Sequence, residues 1–66
     1  MRIIANGKEE HIDDGISLEK WLETKSIAIN TVVVEYNMAI VEQAKWKDII
    51  LKENDTLEVL KFVGGG

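Results

Sequence analysis

The stretch Thr31-Val32-Val33-Val34-Glu35-Tyr36 decides the fold class of this 66-residue chain. Its β-branched and aromatic side chains pack well on a pleated surface, so it predicts a strand. Successive side chains of a strand point to opposite faces of a sheet. If Val32 and Val34 point inward, Val33 therefore lies on the other face.

Residues 1–12 predict a hairpin at a sheet edge. Strands at residues 3–5 and 8–12 flank Asn6 and Gly7, and both turn residues tolerate the positive φ that a two-residue hairpin turn needs. The return strand is highly charged, and charge at a sheet edge discourages further pairing.

One amphipathic helix is predicted between the hairpin and the valine-rich strand. Ser17 is the candidate N-cap, because its hydroxyl can accept a hydrogen bond from a free amide of the first turn. Leu18, Trp21 and Leu22 follow the i, i+3, i+4 spacing of an apolar helix face. The helix is expected to end near residue 25 or 26, so it needs a sheet to pack on.

The second half of the chain predicts two more strands. A turn at residues 37–39 leads to a short strand at residues 40–41, and residues 44–51 predict a short helical turn around Trp46, which we assign to the core with Trp21. A turn at residues 53–55, with Asn54 at positive φ, precedes the last strand at residues 56–63.

This order, β-β-α-β-β-short helix-β, predicts a two-layer α+β fold. One helix covers one face of a mixed four- or five-stranded sheet. In the last strand, Leu57 and Val59 face the helix, and Leu60 and Phe62 face away from it.

Composition narrows the classes of function. Eight Lys and Arg residues against twelve Asp and Glu residues give a net charge of −4. Because no basic cluster exists, we expect no nucleic-acid partner, whereas a partner with a basic surface fits. No apolar run approaches the roughly 20 residues of a membrane span, and no signal-peptide core follows Met1. We therefore expect no membrane contact and a cytoplasmic location.

Enzyme and metal chemistry find little support in the residues. The chain has no Cys and one His, and Ser17 is explained as a cap, so a Ser–His nucleophile pair is not expected. We interpret the one acidic cluster as a solvated edge strand and turn, and we expect no metal site. It consists of Glu9, Glu10, His11, Asp13 and Asp14.

Gly64, Gly65 and Gly66 form the remaining feature. Without Cβ atoms, these residues can enter a narrow active-site channel in extended form. An open α-carboxylate at Gly66 can be activated as an acyl adenylate and can then hold sulfur. A frayed tail or an expression scar is the competing interpretation.

The sequence resembles the thiamine-biosynthesis sulfur carriers of the ubiquitin-like β-grasp group. The resemblance covers essentially the whole chain. Glu42-Gln43 stands where the family often has Pro-Arg, and Asn54-Asp55 stands where it usually has Gly-Asp. The matching segments are residues 3–7, 18–22, 32–37, 40–41, Trp46, 57–59 and the ending Phe62-Val63-Gly64-Gly65-Gly66.

The resemblance implies a β-grasp domain over residues 1–63 with a flexible tail at 64–66. It also implies a protein cosubstrate rather than an enzyme, with no cofactor of its own. An adenylyltransferase resembling ubiquitin-activating enzymes would use MgATP to adenylate the Gly66 carboxylate. Sulfur from a persulfide, such as that of a cysteine desulfurase, would replace AMP, and thiazole synthase would take the sulfur from the thiocarboxylate.

The face away from the helix is the expected docking surface for these partners. Val33, Leu60, Phe62 and Val63 are its predicted residues, just before the tail. Two alternatives stay open. One is a sulfur carrier for molybdopterin or another pathway, and the other is a β-grasp interaction module whose tail is inert.

Overall fold

The computed structural model describes residues 1–62, which form five strands and one α-helix, with two strands before the helix and three after it. Two short 3₁₀ helices, Ile29–Thr31 and Gln43–Asp48, complete the elements. The observed order is the predicted one. The strands and the helix are β1 (Arg2–Ala5), β2 (Lys8–His11), α1 (Leu18–Thr24), β3 (Val32–Tyr36), β4 (Ala39–Val41) and β5 (Thr56–Lys61).

The strands form a single mixed sheet in the order β2-β1-β5-β3-β4. β1 and β5 are parallel, and the other neighbouring pairs are antiparallel. β5 therefore lies at the centre of the sheet, while β2 lies at an edge, as its charge predicts. The α+β class and the mixed sheet are confirmed, with five strands.

The strand and helix boundaries differ from the predicted ones by one to three residues. β3 begins at Val32 because the amide of Thr31 donates to the carbonyl of Ala28 (2.9 Å) and closes a 3₁₀ turn. β5 ends at Lys61 instead of continuing to Val63, which lies outside the described residues. The predicted helical turn around Trp46 is the second 3₁₀ helix.

The core lies between α1 and the covered face of the sheet. Leu18, Trp21 and Leu22 of the predicted helix stripe are all buried. Ser17 caps the helix as predicted, since its hydroxyl oxygen accepts from the amide of Lys20 at 3.0 Å. The sheet contributes Ile3, Ala5, Val32, Val34 and Leu57 to the core.

Trp46 closes one end of the core. It is 2% exposed, and its indole N–H donates to the carbonyl of Val41 at 3.1 Å. Trp21 is 3% exposed, so the assignment of both tryptophans to the core is confirmed. No helix within residues 1–62 is both long and apolar enough to cross a membrane.

Candidate functional site

The face of the sheet opposite α1 carries the residues predicted to dock a partner, and we call it the open face. In β3, Val32 and Val34 are buried under the helix, and Val33 lies on the open face. The register pairs Val33 with Leu60, so the two side chains are direct neighbours across β3 and β5. Alternation along β5 places Phe62 on the same face.

These apolar side chains are unusually exposed for their size. Leu60 and Phe62 keep 50% and 51% of their surface accessible. The amide of Phe62 donates to the carbonyl of Thr31 at 3.1 Å, which ties the chain to the sheet one residue beyond β5. Val33, Leu60 and Phe62 are therefore brought together as predicted, and the central strand presents them.

Ile40 is a fourth apolar residue of the open face, and sequence reasoning did not place it there. It is 69% exposed and lies opposite Glu35 in the register of β3 and β4. Because β4 has three residues, its alternation is too short to assign faces from the sequence. The alternation of β3 places Glu35 on the open face with Val33. Knowledge of the pairing of β3 with β4 would then have placed Ile40 there too, because it lies opposite Glu35.

The remaining predicted site residues, Val63, Gly64, Gly65 and Gly66, lie outside the described residues. The structure does show where the chain leads into them. Lys61 ends the central strand, and Phe62 still bonds to the sheet. The described chain therefore ends beside β3, two residues beyond Leu60 of the open face.

A network of hydrogen bonds around the buried Asp55 joins the end of β3 to the start of β5. The Asp55 carboxylate is 7% exposed and accepts from the Tyr36 hydroxyl (2.7 Å), the Asn37 side-chain amide (3.1 Å) and the Lys52 backbone amide (2.7 Å). Asn37 also accepts from the amide of Thr56 at 2.8 Å. The network holds the start of β5 in register with β3.

Burial and hydrogen bonding act in opposite directions on the pKa of Asp55. Burial raises the pKa, but the hydrogen bonds from Tyr36, Asn37 and Lys52 together hold it below its usual range. Burial and the neighbouring carboxylate raise the pKa of Tyr36 to about 12. Sequence reasoning treated residues 53–55 only as a turn and missed this network.

The acidic cluster of β2 is engaged in ion pairs. Glu9 accepts from Arg2 at 2.9 Å, and Glu10 pairs with Lys25 at 3.0 Å. Within residues 1–62, no three His, Cys, Asp or Glu side chains are arranged to hold a metal ion. The cluster is part of an edge strand and its turn.

A hollow of about 680 Å³ opens between the end of α1 and the β1–β2 hairpin. Lys8, Lys25, Lys61 and Ser26 line it, but His11 does not. Ser17 is occupied as a helix cap. Glu10 also lines it, but its carboxylate pairs with Lys25 at 3.0 Å. No hydrogen bond within residues 1–62 joins Glu10 to Ser26, as a nucleophile and its general base would need.

Comparison with known proteins connects this architecture to a family. Residues 1–66 match the sequence model of the ThiS family. The thiazole synthase of Magnetococcus marinus is 36% identical over 66 residues, which are the whole of this chain and 20% of that protein. The uncharacterized protein ycf40 of Trieres chinensis is 33% identical over 61 residues, with 92% of this chain and 84% of that protein covered.

A solved structure has the same overall fold. The crystal structure of the thiamine biosynthesis protein ThiS from Geobacter metallireducens superposes with a TM-score of 0.87 at 29% identity, and each chain is covered completely. This match confirms the β-grasp assignment of the mixed sheet and its single helix. The chain spans about a fifth of the length of the thiazole synthase that it matches. The family match, the superposition and the sheet order agree, and the chain belongs to the ThiS family.

Proposed function

We propose that this chain carries sulfur for the formation of the thiazole of thiamine. The observation that supports this most is the match of the ThiS family over residues 1–66, which includes Gly64, Gly65 and Gly66. The solved relative is named a thiamine biosynthesis protein, and the Magnetococcus relative is named a thiazole synthase. The chain acts as a protein cosubstrate and leaves catalysis to its partners.

The proposed chemistry takes place on the carboxylate of Gly66. A ubiquitin-activating-like adenylyltransferase with MgATP attaches AMP to this carboxylate and releases pyrophosphate. The outer sulfur of a persulfide, such as that of a cysteine desulfurase, then replaces AMP. This gives an acyl disulfide, whose S–S bond is cleaved by a thiol that attacks the donor's sulfur. A new disulfide forms, and a thiocarboxylate remains on Gly66. Since the chain has no Cys, no side chain competes as a carrier of this sulfur.

The open face is the proposed docking surface for the activating enzyme. At the end of the described chain, apolar area is supplied by Val33, Leu60 and Phe62. Apolar area of this kind is typical of the centre of protein interfaces, and Val63 is also proposed for the dock. Gly64 to Gly66 then enter the partner's active site, because residues without Cβ atoms fit a narrow channel.

Thiazole synthase is the proposed acceptor of the sulfur. In the Magnetococcus protein, a region similar to this chain belongs to a longer polypeptide named for that activity. A carrier and its acceptor that share one polypeptide have a high effective concentration for each other. This supports thiazole synthase over an acceptor of the molybdopterin pathway.

Intact-mass analysis tests the carrier function. The chain is incubated with its activating enzyme, MgATP and a persulfide donor, and we expect a mass gain equal to exchange of one oxygen for one sulfur. A variant that lacks Gly65 and Gly66 is the control and should stay unmodified. An unmodified full chain would contradict the proposal and favour an interaction module with an inert tail.

A second assay separates the acceptors. The thiocarboxylate form is offered to thiazole synthase and, in parallel, to the sulfur-accepting enzyme of molybdopterin synthesis. Loss of sulfur to thiazole synthase alone supports the thiamine pathway. Transfer only to the other enzyme would assign the chain to the molybdopterin pathway.

A further inference from the structure

Two carboxylates face each other across the centre of the open face. The register of β3 and β5 pairs Glu35 with Glu58, two residues along the sheet from the Val33 and Leu60 pair. Side chains in directly opposite positions lie on the same face, with Cβ atoms about 5 Å apart. Like charges in such positions destabilise a sheet.

Neither carboxylate has a cationic partner within residues 1–62. The basic side chain of β1 on this face is Arg2, and its guanidinium is held by Glu9 (2.9 Å) and by the side-chain oxygen of Asn54 (2.8 Å). The described part of the chain therefore leaves the repulsion between Glu35 and Glu58 without compensation.

Apolar side chains adjoin the pair in two directions, across to β4 and along β3 and β5. Ile40 is opposite Glu35 on β4, while Leu60 and Val33 are the next pair along β5 and β3. Ile40 and Leu60 are exposed, at 69% and 50%. A partner that covers these side chains also removes water from the carboxylates, which strengthens their attraction for a cation.

We propose that Glu35 and Glu58 bind one arginine side chain that the activating enzyme presents from an apolar surface. An arginine suits the site because its planar guanidinium has five donors and can bond two carboxylates at once. The inference rests on the proposed function, because it names the chemistry that recognises the docking face. The repulsion in the free chain is relieved when the complex forms.

This arrangement gives the two glutamates opposite effects in the free chain and in the complex. Substitution of both by glutamine removes the repulsion, so the free chain becomes more stable. The same substitution removes the attraction for arginine, so the complex becomes weaker. A purely structural role would change stability and binding in the same direction.

The test compares E35Q/E58Q with a matched control, E23Q/D48N. Both variants change the net charge from −4 to −2, by the loss of two acidic residues. Glu23 lies on α1, and Asp48 lies on the second 3₁₀ helix, which packs with α1. Both control positions are therefore outside the open face. Thermal melting, and binding to the activating enzyme at low and moderate salt, are measured for each.

We expect E35Q/E58Q to melt at a higher temperature than the wild type and to bind the enzyme at least about tenfold more weakly. Its binding should also lose most of the salt dependence of the wild type. E23Q/D48N should bind like the wild type. E35D/E58D, which keeps both charges, should retain most of the affinity.

Four results would overturn the inference. If the wild type is adenylated and E35Q/E58Q binds with unchanged affinity and salt dependence, the inference fails and the proposed function stands. If E23Q/D48N weakens binding equally, net charge and not the pair is responsible. If the wild type forms a dimer that E35Q/E58Q loses, a second copy occupies the face. If the wild type does not bind the enzyme, both proposals fail.

Discussion

At the scale of single residues, Asp55 has more hydrogen-bonded partners than its place in a turn suggests. It is the one buried acidic residue among those described, and three donors converge on its carboxylate. A buried carboxylate is tolerated only when its oxygens are bonded in this way. Asp55 therefore has a structural role in joining β3 to β5.

Replacement of Asp55 by alanine should lower the free energy of unfolding by about 3 kcal/mol, because it leaves the donors of three partly buried hydrogen bonds without an acceptor. Urea denaturation measures this loss. Tyr36→Phe removes one of the donors and serves as the graded control, with an expected loss of about 1 kcal/mol. A loss below about 0.5 kcal/mol for Asp55→Ala would mean that the network does not stabilise the fold.

Asp55 also makes the stability of the fold depend on pH. The pKa of Asp55 is lower in the folded chain than its usual value, so the folded state binds its proton less readily than the unfolded state. Its contribution is present above about pH 4 and is lost as the pH falls through the folded pKa. Urea titrations between pH 6 and about pH 3 should show this loss. Asp55→Asn should show a shallower decline, and an identical decline would assign the effect to other carboxylates.

Leu60 is the residue that tests the docking surface most directly. It is 50% exposed, so Leu60→Asp should leave the circular-dichroism spectrum unchanged, while the added charge beside Glu35 and Glu58 lowers the melting temperature by a few degrees. The new charge lies at the centre of the open face and should block adenylation by the activating enzyme. Ile50→Asp is the matched control, because Ile50 is 47% exposed and lies outside the sheet. Adenylation of Leu60→Asp at the normal rate would exclude the open face as the dock.

At the scale of elements, α1 is followed by a serine, Ser26, at a position where helices usually have glycine. The amide of Ser26 donates to the carbonyl of Glu23 (3.0 Å), and the amide of Ile27 donates to that of Leu22 (3.2 Å). These two bonds define a Schellman motif, which requires a left-handed residue just beyond the helix. Ser26 takes that position with φ of 58°, where glycine is the usual choice.

Ser26→Gly should therefore stabilise the protein by about 1 kcal/mol, because glycine adopts this conformation without strain from a Cβ atom. The midpoint of urea denaturation measures the gain. Thr24→Gly, at the last position of the same helix, is the control and should destabilise by about 0.5 kcal/mol. If Ser26→Gly also destabilises, the left-handed position carries no strain that glycine can relieve.

The backbone conformation of the turn residues was only partly predictable from sequence. The turn residues Asn6, Gly7 and Asn54 have the positive φ that their types predict. Ser26 and Met38 also have positive φ, at 58° and 74°, although neither residue type favours it. Hydrogen bonds and packing around them override the local preference, and a sequence pattern does not contain those contacts.

At the scale of the whole molecule, the position of β5 connects the fold with the proposed function. β5 is paired on both sides, with β1 in parallel and with β3 in antiparallel orientation. The pairing with β1 is at the start of β5, at Thr56 and Leu57, and the last described residues, Lys61 and Phe62, pair with the β3 side. The described chain therefore ends beside the open face, where Leu60 and Phe62 are exposed.

Deletion of Gly65 and Gly66 should abolish thiocarboxylate formation. The melting temperature should stay within about 2 °C of that of the full chain. In a domain of this size, such a shift corresponds to less than about 0.5 kcal/mol. The reason is that the core is built from residues 3–57. Differential scanning calorimetry and intact-mass analysis on the same samples provide both readouts. A large drop in melting temperature would show that the tail contributes to the fold.

The sequence by itself determined the order of the elements, the helix stripe, the faces of β3 and β5 and the exposed pair Leu60 and Phe62. These features follow from periodicity and residue type, which act between neighbours along the chain. Only the tertiary structure decided that β5 lies between β1 and β3, that Asp55 is buried beside Tyr36, and that Glu35 faces Glu58. Each of these depends on a pairing between residues far apart in the chain, and register across such distances is set by the packing of the whole sheet.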